Sequence, residues 1–319
     1  MTNLLKNPIF QDETKAREWL EARVWPTGAT CPHCGNADAE KITKLEGKAH
    51  RPGVYQCNET ECREQFTVTV KTVFERSKIP LTKWLAALFL MTASKKGVSA
   101  HQVHRMLGIS YKSTWFMMHR LREAMRTGGL APMGGAGSTV EIDETYIGKN
   151  VYAPKGRKKP GSAYRNVVLT LVERGGSARS FHVEGTRIYD VLPIIRENIA
   201  RETIINTDQG SWYNWIGTEF AEHQTVNHAD EEYVRREGAN VITTNTVEGY
   251  YAIFKRGMKG VYQHCGEKHL HRYMAEFDFR YSNRAALGVD DTARAELLAQ
   301  GIKGKRLTYR RANSARLQA

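Results

Sequence analysis

From Asp12 to Trp25 the apolar residues Trp19, Leu20 and Val24 recur at helical spacing behind an Asp that can cap, so the pattern predicts a short helix. "PTGAT" ends it. The period then shortens: "KITKLE", "VYQC" and the strictly alternating "QFTVTV" predict short strands. Helical spacing returns over residues 81–125 in three segments. "LTKWLAALFLMTASKKG" runs to Gly97. "SAHQVHRMLGI" starts behind Ser99 and aligns Val103, Met106 and Leu107 on one face. "SYKSTWFMMHRLREAM" starts behind Ser110, with Gly108 making the turn between these two. "RTGGLAPMGGAGS" has no period and reads as a linker.

Beyond the linker the pattern is dominated by strands. Residues 139–147, "YRNVVLTLVERGG" and "SARSFHVEG" come first, and "YDVLPIIRENIA" follows as a helix capped near Thr186. "ETIINTDQG" reads as a buried strand and "HQTVNH" as a short one. "TVEGYYAIFKRGMKG" and "HLHRYMAEFDFRYSNR" read as helices, with Tyr250, Tyr251 and Phe254 as core positions. The order β-β-β-α-β-β-α predicts an α/β fold with a mixed sheet of the ribonuclease H-like kind. The expected organisation is a helical segment (1–28), a zinc ribbon (29–76), a helix-turn-helix region (77–128), a linker (129–138), the ribonuclease H-like domain (139–290) and a basic tail (291–319).

Composition narrows the partners. The chain has 319 residues, 41% of them hydrophobic, which is enough to bury a core, and a formal charge of +13. Such a bias attracts polyanions, so a nucleic acid is the expected partner, with a merely basic, ribosomal-style surface as the alternative. No apolar run is long enough for a membrane span, and "MTNLLKNPIF" lacks the apolar core of a signal peptide. The expectation is a cytoplasmic, nucleoid-associated prokaryotic protein. Locally, Lys155, Arg157, Lys158 and Lys159 crowd one loop, either as phosphate contacts or as a solvated hairpin tip. Tyr111, Lys112 and Ser113 open the second helix of a helix–Gly turn–helix, where side chains reach bases or phosphates; an ordinary helical hairpin is the alternative. From Gly301 onward Lys303, Lys305, Arg306, Arg310, Arg311 and Arg316 stand without an acid, predicting a mobile basic arm.

Four of the five cysteines, Cys31, Cys34, Cys57 and Cys62, form C-x2-C and C-x4-C pairs flanking a predicted hairpin. Two thiolate knuckles joined by a hairpin suit tetrahedral Zn(II), one structural ion per chain. His33 and His50 are substitute ligands. Cys265, flanked by His264, His269 and His271, fits no common zinc spacing and reads as a plain, partly buried thiol.

The acids pose the sharper question. "EIDETYIGKN" is strand-like yet carries Glu141, Asp143 and Glu144. Alternation sends Glu141, Asp143 and Thr145 to one face and Glu144 to the other. Asp208 ends the fourth strand of the second half, which lies beside the first in this topology, so Asp143 and Asp208 converge. Glu248 would join them from its helix. Like charges so placed are costly unless a cation neutralises them or one is protonated, and oxygen donors suit two Mg(II) ions, for which Mn(II) can substitute. One would activate the attacking water or 3′-hydroxyl and the other would stabilise the leaving 3′-oxygen. Taken singly, Asp208 is also an ordinary turn residue and Glu248 an ordinary partner of a helix dipole. Lys255 and Arg256 either face the metal groove or coat a solvated helix; His228, at a strand end, either touches the site or is structural.

"WPTGATCPHCG", "EIDETYIGK", "NTDQG", "VNHADEEYV" and "TNTVEGYYAIFKRGMKGVYQHCGEKHLHRYMAEFDFRYSNR" together resemble the IS1595 (ISXO2-like) insertion-sequence transposases, over residues 10–285. The resemblance implies a DDE transposase with an N-terminal zinc ribbon. It implies catalytic acids at Asp143, Asp208 and Glu248, a supporting Asn at Asn245, and action on terminal inverted repeats and target DNA as a dimer or larger assembly. The C-x4-C pair is wider than the family's second pair and makes Cys62 the least typical ligand. Two other functions fit the same residues: a DNA-binding regulator with an inert ribonuclease H-like domain, and a structure-selective nuclease that cuts without joining.

Overall fold

The structure, a computed structural model, describes residues 6–150, 152, 164–208, 216–227, 232–238 and 240–308. It divides into two compact units, one formed by residues 1–94, 98–125 and 291–319 and the other by residues 95–97 and 126–290.

The first unit begins with α1 (Glu13–Val24), whose first turn is held by Asp12: its carboxylate accepts from the Thr14 and Lys15 amides at 2.7 and 3.1 Å. A three-stranded antiparallel sheet follows, β1 (Ile42–Leu45), β2 (Val54–Cys57) and β3 (Gln65–Phe66). The strand expected over "QFTVTV" stops at Phe66. Beyond it the Val70 amide donates to the Thr67 carbonyl and the Thr72 amide to that of Thr69, and the Thr67 and Thr69 hydroxyls bond each other. Threonine side chains that bond locally draw the backbone into turns, which alternation alone does not reveal.

Three helices follow: α2 (Leu81–Ala93), α3 (Ala100–Leu107) and α4 (Tyr111–Met125). α2 ends short of Gly97, at Ser94, whose hydroxyl donates to the Leu90 carbonyl. Ser99 caps α3 through the Gln102 amide, and Gly108 closes it at φ 59°, a left-handed conformation that glycine adopts at little cost. Ser110 accepts from the Ser113 amide at the start of α4. On α3 only Val103 is buried; Met106 is 54% exposed, so the apolar face is narrower than expected.

The expected basic tail differs most. Residues Asp291–Gln300 form α8, with Ala295, Leu298 and Ala299 buried. Its Arg294 donates to the Thr92 carbonyl, and Glu296 pairs with Arg23 of α1. Past the helix Ile302 is buried, its carbonyl accepts from the Val73 amide, and Lys305 donates to the Ala124 carbonyl. Residues 291–308 are thus part of the first unit, because an apolar face and a set of backbone bonds outweigh the basic composition. Arg310, Arg311 and Arg316 lie outside the described residues.

The second unit is built on a five-stranded mixed sheet in the order β6-β5-β4-β7-β8: β4 (Thr139–Ile147), β5 (Asn166–Glu173), β6 (Ala178–Val183), β7 (Ile204–Asp208) and β8 (Glu222–Val226). β4, β5 and β6 pair antiparallel, while β7 runs parallel to both β4 and β8. α5 (Ile188–Asn198) precedes β7; its N-cap position is Arg187, which makes no side-chain cap bond, so the expected Thr186 cap is displaced by a residue.

Alternation assigns the two faces. Val140 and Ile142 of β4, Val167, Leu169 and Leu171 of β5 and Ile205 of β7 share one core with Val191 and Ile195 of α5. Ile147, Val168 and Val172 share the other with α6 (Asn245–Gly257) and α7 (Leu270–Ser282), through Tyr250, Tyr251, Phe254, Tyr273 and Phe277. The linker is partly absorbed: Met133 is buried in the first of these cores and exchanges backbone bonds with Asn198 and Ala200. A hairpin unforeseen in the sequence, β9 (Val234–Glu237) and β10 (Asn240–Thr243), leads into α6. No helix among the described residues is long and apolar enough to cross a membrane.

Candidate active site and metal centre

The cysteine centre lies in the first unit. Backbone bonds tighten the first knuckle: the Gly35 amide donates to the Cys31 carbonyl at 2.9 Å, and the Cys31 amide to that of Asn36 at 2.8 Å. The second pair is set by the Cys57 amide bonding the Glu64 carbonyl and the Cys62 amide bonding that of Glu59. All four sulfurs lie within 4.8 Å of one another. Cys31 Sγ–Cys62 Sγ and Cys34 Sγ–Cys57 Sγ are each 3.7 Å. A tetrahedron with Zn–S arms of about 2.3 Å has edges of about 3.8 Å, so the donor set fits Zn(II). Cys62 joins the cluster despite its wider spacing. Its thiol is pushed up to about 12: the Glu64 backbone amide lowers it, but burial and hydrogen bonds with Cys34, Cys31 and Cys57 outweigh that. Four crowded thiols resist ionising together without a cation. Neither His33 nor His50 joins the cluster; both are exposed. Cys265 packs partly buried against the α6–α7 core, and no histidine near it forms a ligand set among the described residues.

The carboxylates lie in the second unit. The β4–β7 register pairs Glu141 with Asn206, and two residues further along each strand are Asp143 and Asp208. Parallel neighbours at the same level point the same way, so both acids project toward the face covered by α6. Glu248 lies in the first turn of that helix, where the Thr244 hydroxyl donates to its Oε1 at 3.1 Å. The three acids do not draw into a cluster as tight as the cysteines. They are close enough to act on one another: Asp143 is raised from 3.8 to about 7, first by burial, then by the charges of Glu144, Asp208 and, more weakly, Glu248. Only the Glu144 amide, donating to Asp143 Oδ1 at 2.8 Å, opposes the rise. A buried oxygen donor opposed by like charges is completed by a proton or by a cation, and hard oxygen donors suit Mg(II).

Tyr250, Tyr251 and Phe254 are core, as expected, and the Tyr251 hydroxyl donates to the carbonyls of Asp143 (2.6 Å) and Val168 (3.0 Å). Lys255 is two helical turns beyond Glu248 on the same side, its ammonium 5.6 Å from the Tyr251 ring centre; Arg256 is exposed. Asn245 is exposed at the first position of α6. Tyr111, Lys112 and Ser113 are exposed at the start of α4, where the Tyr111 ring stacks on His101 at 4.2 Å. Lys155, Arg157, Lys158, Lys159 and His228 lie outside the described residues. At the far end of β4 an open cavity of about 340 Å³ is lined by Lys149, Arg165 and Lys259 with no carboxylate among its lining residues.

Glu141, Arg174 and Asn206 join the site although the sequence assigned none of them a role there. Glu141 is fully buried and ion-paired to Arg174 at 2.7 Å, and Asn206 donates to the Thr243 carbonyl at 3.2 Å. Spacing held a clue: Glu141 precedes Asp143, and Asn206 precedes Asp208, by the two residues that put side chains on one face.

A cysteine-centred ribbon in one unit and an acid-bearing mixed sheet in the other define a class, zinc-ribbon proteins with a carboxylate α/β domain. Residues 134–282 match the family model of the ISXO2-like transposase domain, and residues 11–65 match that of the transposase zinc-ribbon domain. The chain belongs to the IS1595 (ISXO2-like) transposase family. Among curated proteins it is similar to an uncharacterized protein in transposable element ISH50 of Halobacterium salinarum, 24% identical over 288 residues, covering 85% of this chain and 91% of that protein. Solved structures with some likeness are a simian T-cell lymphotropic virus intasome in complex with the PP2A regulatory subunit B56 gamma (15% identity, 55% of this chain, TM-score 0.28) and the Drosophila P element transposase strand transfer complex (9% identity, 66% of this chain, TM-score 0.28). The chain spans 63% and 59% of those two chains, less than two thirds of either.

Proposed function

We propose that the protein is a DDE transposase with a ribonuclease H-like catalytic domain, which binds the terminal inverted repeats of its element, cleaves DNA at the element ends and joins the freed 3′-ends to target DNA. The observation that carries this reading is the neighbouring of Asp143 and Asp208 through the parallel β4–β7 pair, with Glu248 near enough to raise the Asp143 pKa. Asp143, Asp208 and Glu248 would hold two Mg(II) ions, or Mn(II). When bound, such ions supply charge stabilisation at the attacking and leaving oxygens of a phosphodiester. The chain's own part is positioning. Lys255 and Arg256 offer cations on the Glu248 side of α6 for the scissile phosphate, and Lys149, Arg165 and Lys259 line a cavity that suits a second stretch of strand.

Recognition belongs to the first unit. The ribbon, with one structural Zn(II) on Cys31, Cys34, Cys57 and Cys62, and α3–α4 as a helix-turn-helix would bind double-stranded DNA through Tyr111, Lys112 and Ser113. The basic loop at Lys155, Arg157, Lys158 and Lys159 adds phosphate contacts, while Asn245 and His228 support the acids. Two element ends are handled together, so the active species is a dimer or larger on DNA.

The test uses labelled repeat ends with Mg(II) or Mn(II). Asp143→Asn and Asp208→Asn are each expected to abolish cleavage and joining while end binding persists. Joining retained in either variant refutes the assignment. Cleavage without joining by the native chain points to the nuclease reading, and binding with no cleavage to the regulator reading.

A further inference from the structure

We propose that Glu141, together with Arg174 and Asn206, is the positioning device that fixes Glu248 relative to Asp143 and Asp208. This inference deepens the transposase reading and rests on it.

The first-turn amides of a helix have no partner within the helix, and its own N-cap side chain commonly takes one. In α6 the N-cap residue Thr244 makes no such bond. Its hydroxyl is turned onto Glu248 instead, at 3.1 Å. The cap comes from another strand: the Glu141 carboxylate accepts from the Thr246 amide at 2.7 Å, the Val247 amide at 3.0 Å and the Thr246 hydroxyl at 2.8 Å. Glu141 is wholly buried, and a buried carboxylate needs a counter-charge, which Arg174 Nε supplies at 2.7 Å.

The same guanidinium reaches one step upstream. Its Nη1 donates to the Val241 carbonyl at 2.6 Å and its Nη2 to that of Thr243 at 2.9 Å, where Asn206 adds a bond at 3.2 Å. Three side chains, two from the sheet and Arg174 from the turn after β5, therefore grip the chain from Val241 to Val247, and Glu248 is the next residue. Two of the grips stand on the strands that carry the other acids, each two residues before its acid and on the same face. The separation of the three acids is thus set through short, rigid links. The rest of α6 has holds of its own, Tyr251 on the Asp143 and Val168 carbonyls and Tyr250 on Asp278. Loss of Glu141 should shift the start of the helix rather than release it.

Residues that orient metal ligands from behind typically change metal affinity or activity about 10- to 100-fold when altered. The experiment uses the full-length, zinc-loaded chain and two readings. Mn(II) binding is followed by the electron paramagnetic resonance of the free ion, and Mn(II)-dependent nicking is followed on a labelled repeat end; thermal midpoint and end binding report folding. Glu141→Gln is expected to bind Mn(II) about tenfold more weakly and to nick about a hundredfold more slowly, with end binding unchanged. Glu141→Asp, which keeps the charge, should recover part of both. Glu141→Gln with Mn(II) affinity and nicking at native levels overturns the proposal, leaving Glu141 a helix cap and no more. If Glu141→Gln does not fold, Arg174→Lys decides on the same readings, since lysine keeps the charge but cannot span both carbonyls. Native protein that binds no more Mn(II) than Asp143→Asn shows the transposase reading itself to be wrong, and the positioning role falls with it.

Discussion

Asp143 sits where its own ionisation is opposed. Its pKa of about 7 exceeds the ordinary 3.8 through burial and the charges of Glu144, Asp208 and Glu248. Between those two values the folded chain holds a proton that the unfolded chain has released. Stability therefore falls as pH rises from about 4 through about 7 and levels off above, by at most about 4 kcal/mol. Zinc-loaded protein free of Mg(II) and Mn(II) should show this slope in thermal midpoint against pH, and Asp143→Asn should flatten it and be the more stable form at pH 8. A variant as steep as the native chain would assign the slope to another group. That Asp143 and not Glu144 turns toward the α6 face was legible in the sequence, because two-residue alternation alone separates them. The roles of Glu141 and Arg174 were not. Arg174 stands in "ERGG", which reads as a hairpin turn, and its partners are 33 to 69 residues away. Such a contact has no local period to betray it.

At the scale of elements, the sequence revealed those whose pattern has a buried face. β4, β5 and β7 were legible because apolar residues alternate along them or fill them, and the β4–β7 neighbourhood followed from the order of elements. The β9–β10 hairpin was not, because β9 is mostly charged (Arg235, Arg236 and Glu237) and β10 buries only Ile242 and Thr243, too short a run to show a period; the hairpin's ion pairs lie on the surface. The zinc ribbon is the opposite case, a set of short strands with little core, identified by its thiols. Its three strands contribute only Val54, Cys57 and Phe66 as buried residues. A module with so few buried strand residues is expected to draw part of its folding energy from its ion. Cys62→Ser should lower bound zinc below one ion per chain, measured by metal analysis, and reduce binding to repeat ends. Full zinc content in that variant would remove Cys62 from the ligand set. Zinc uptake should also release protons, since the Cys62 thiol is otherwise held protonated at neutral pH.

At the scale of the whole molecule, the first unit is discontinuous in sequence. The basic composition of the C-terminal stretch hid this, since charge dominates the eye where Leu298 and Ile302 supply the burial. Ending the chain at Asp290 removes both, together with the Arg294 bond to Thr92 and the Glu296 pair with Arg23. Full burial of a large aliphatic side chain contributes about 1.5–3 kcal/mol, so the loss is several kcal/mol, enough to endanger a unit of ordinary stability. The truncated protein should lose end binding and show a lowered unfolding midpoint for α1–α4 by circular dichroism. An unchanged midpoint would make α8 dispensable.

The return of α8 has a kinetic and entropic corollary. The stretch from Arg126 to Asp290 leaves the first unit and re-enters it, so both of its ends are tied down wherever that unit is folded. A tethered chain explores fewer conformations than a free one, and closing a loop of this length removes roughly 4–5 kcal/mol of disorder from its unfolded ensemble. While that body stays folded, the acid-bearing sheet unfolds into this narrower ensemble, held there in part by a helix that contributes nothing to its own core.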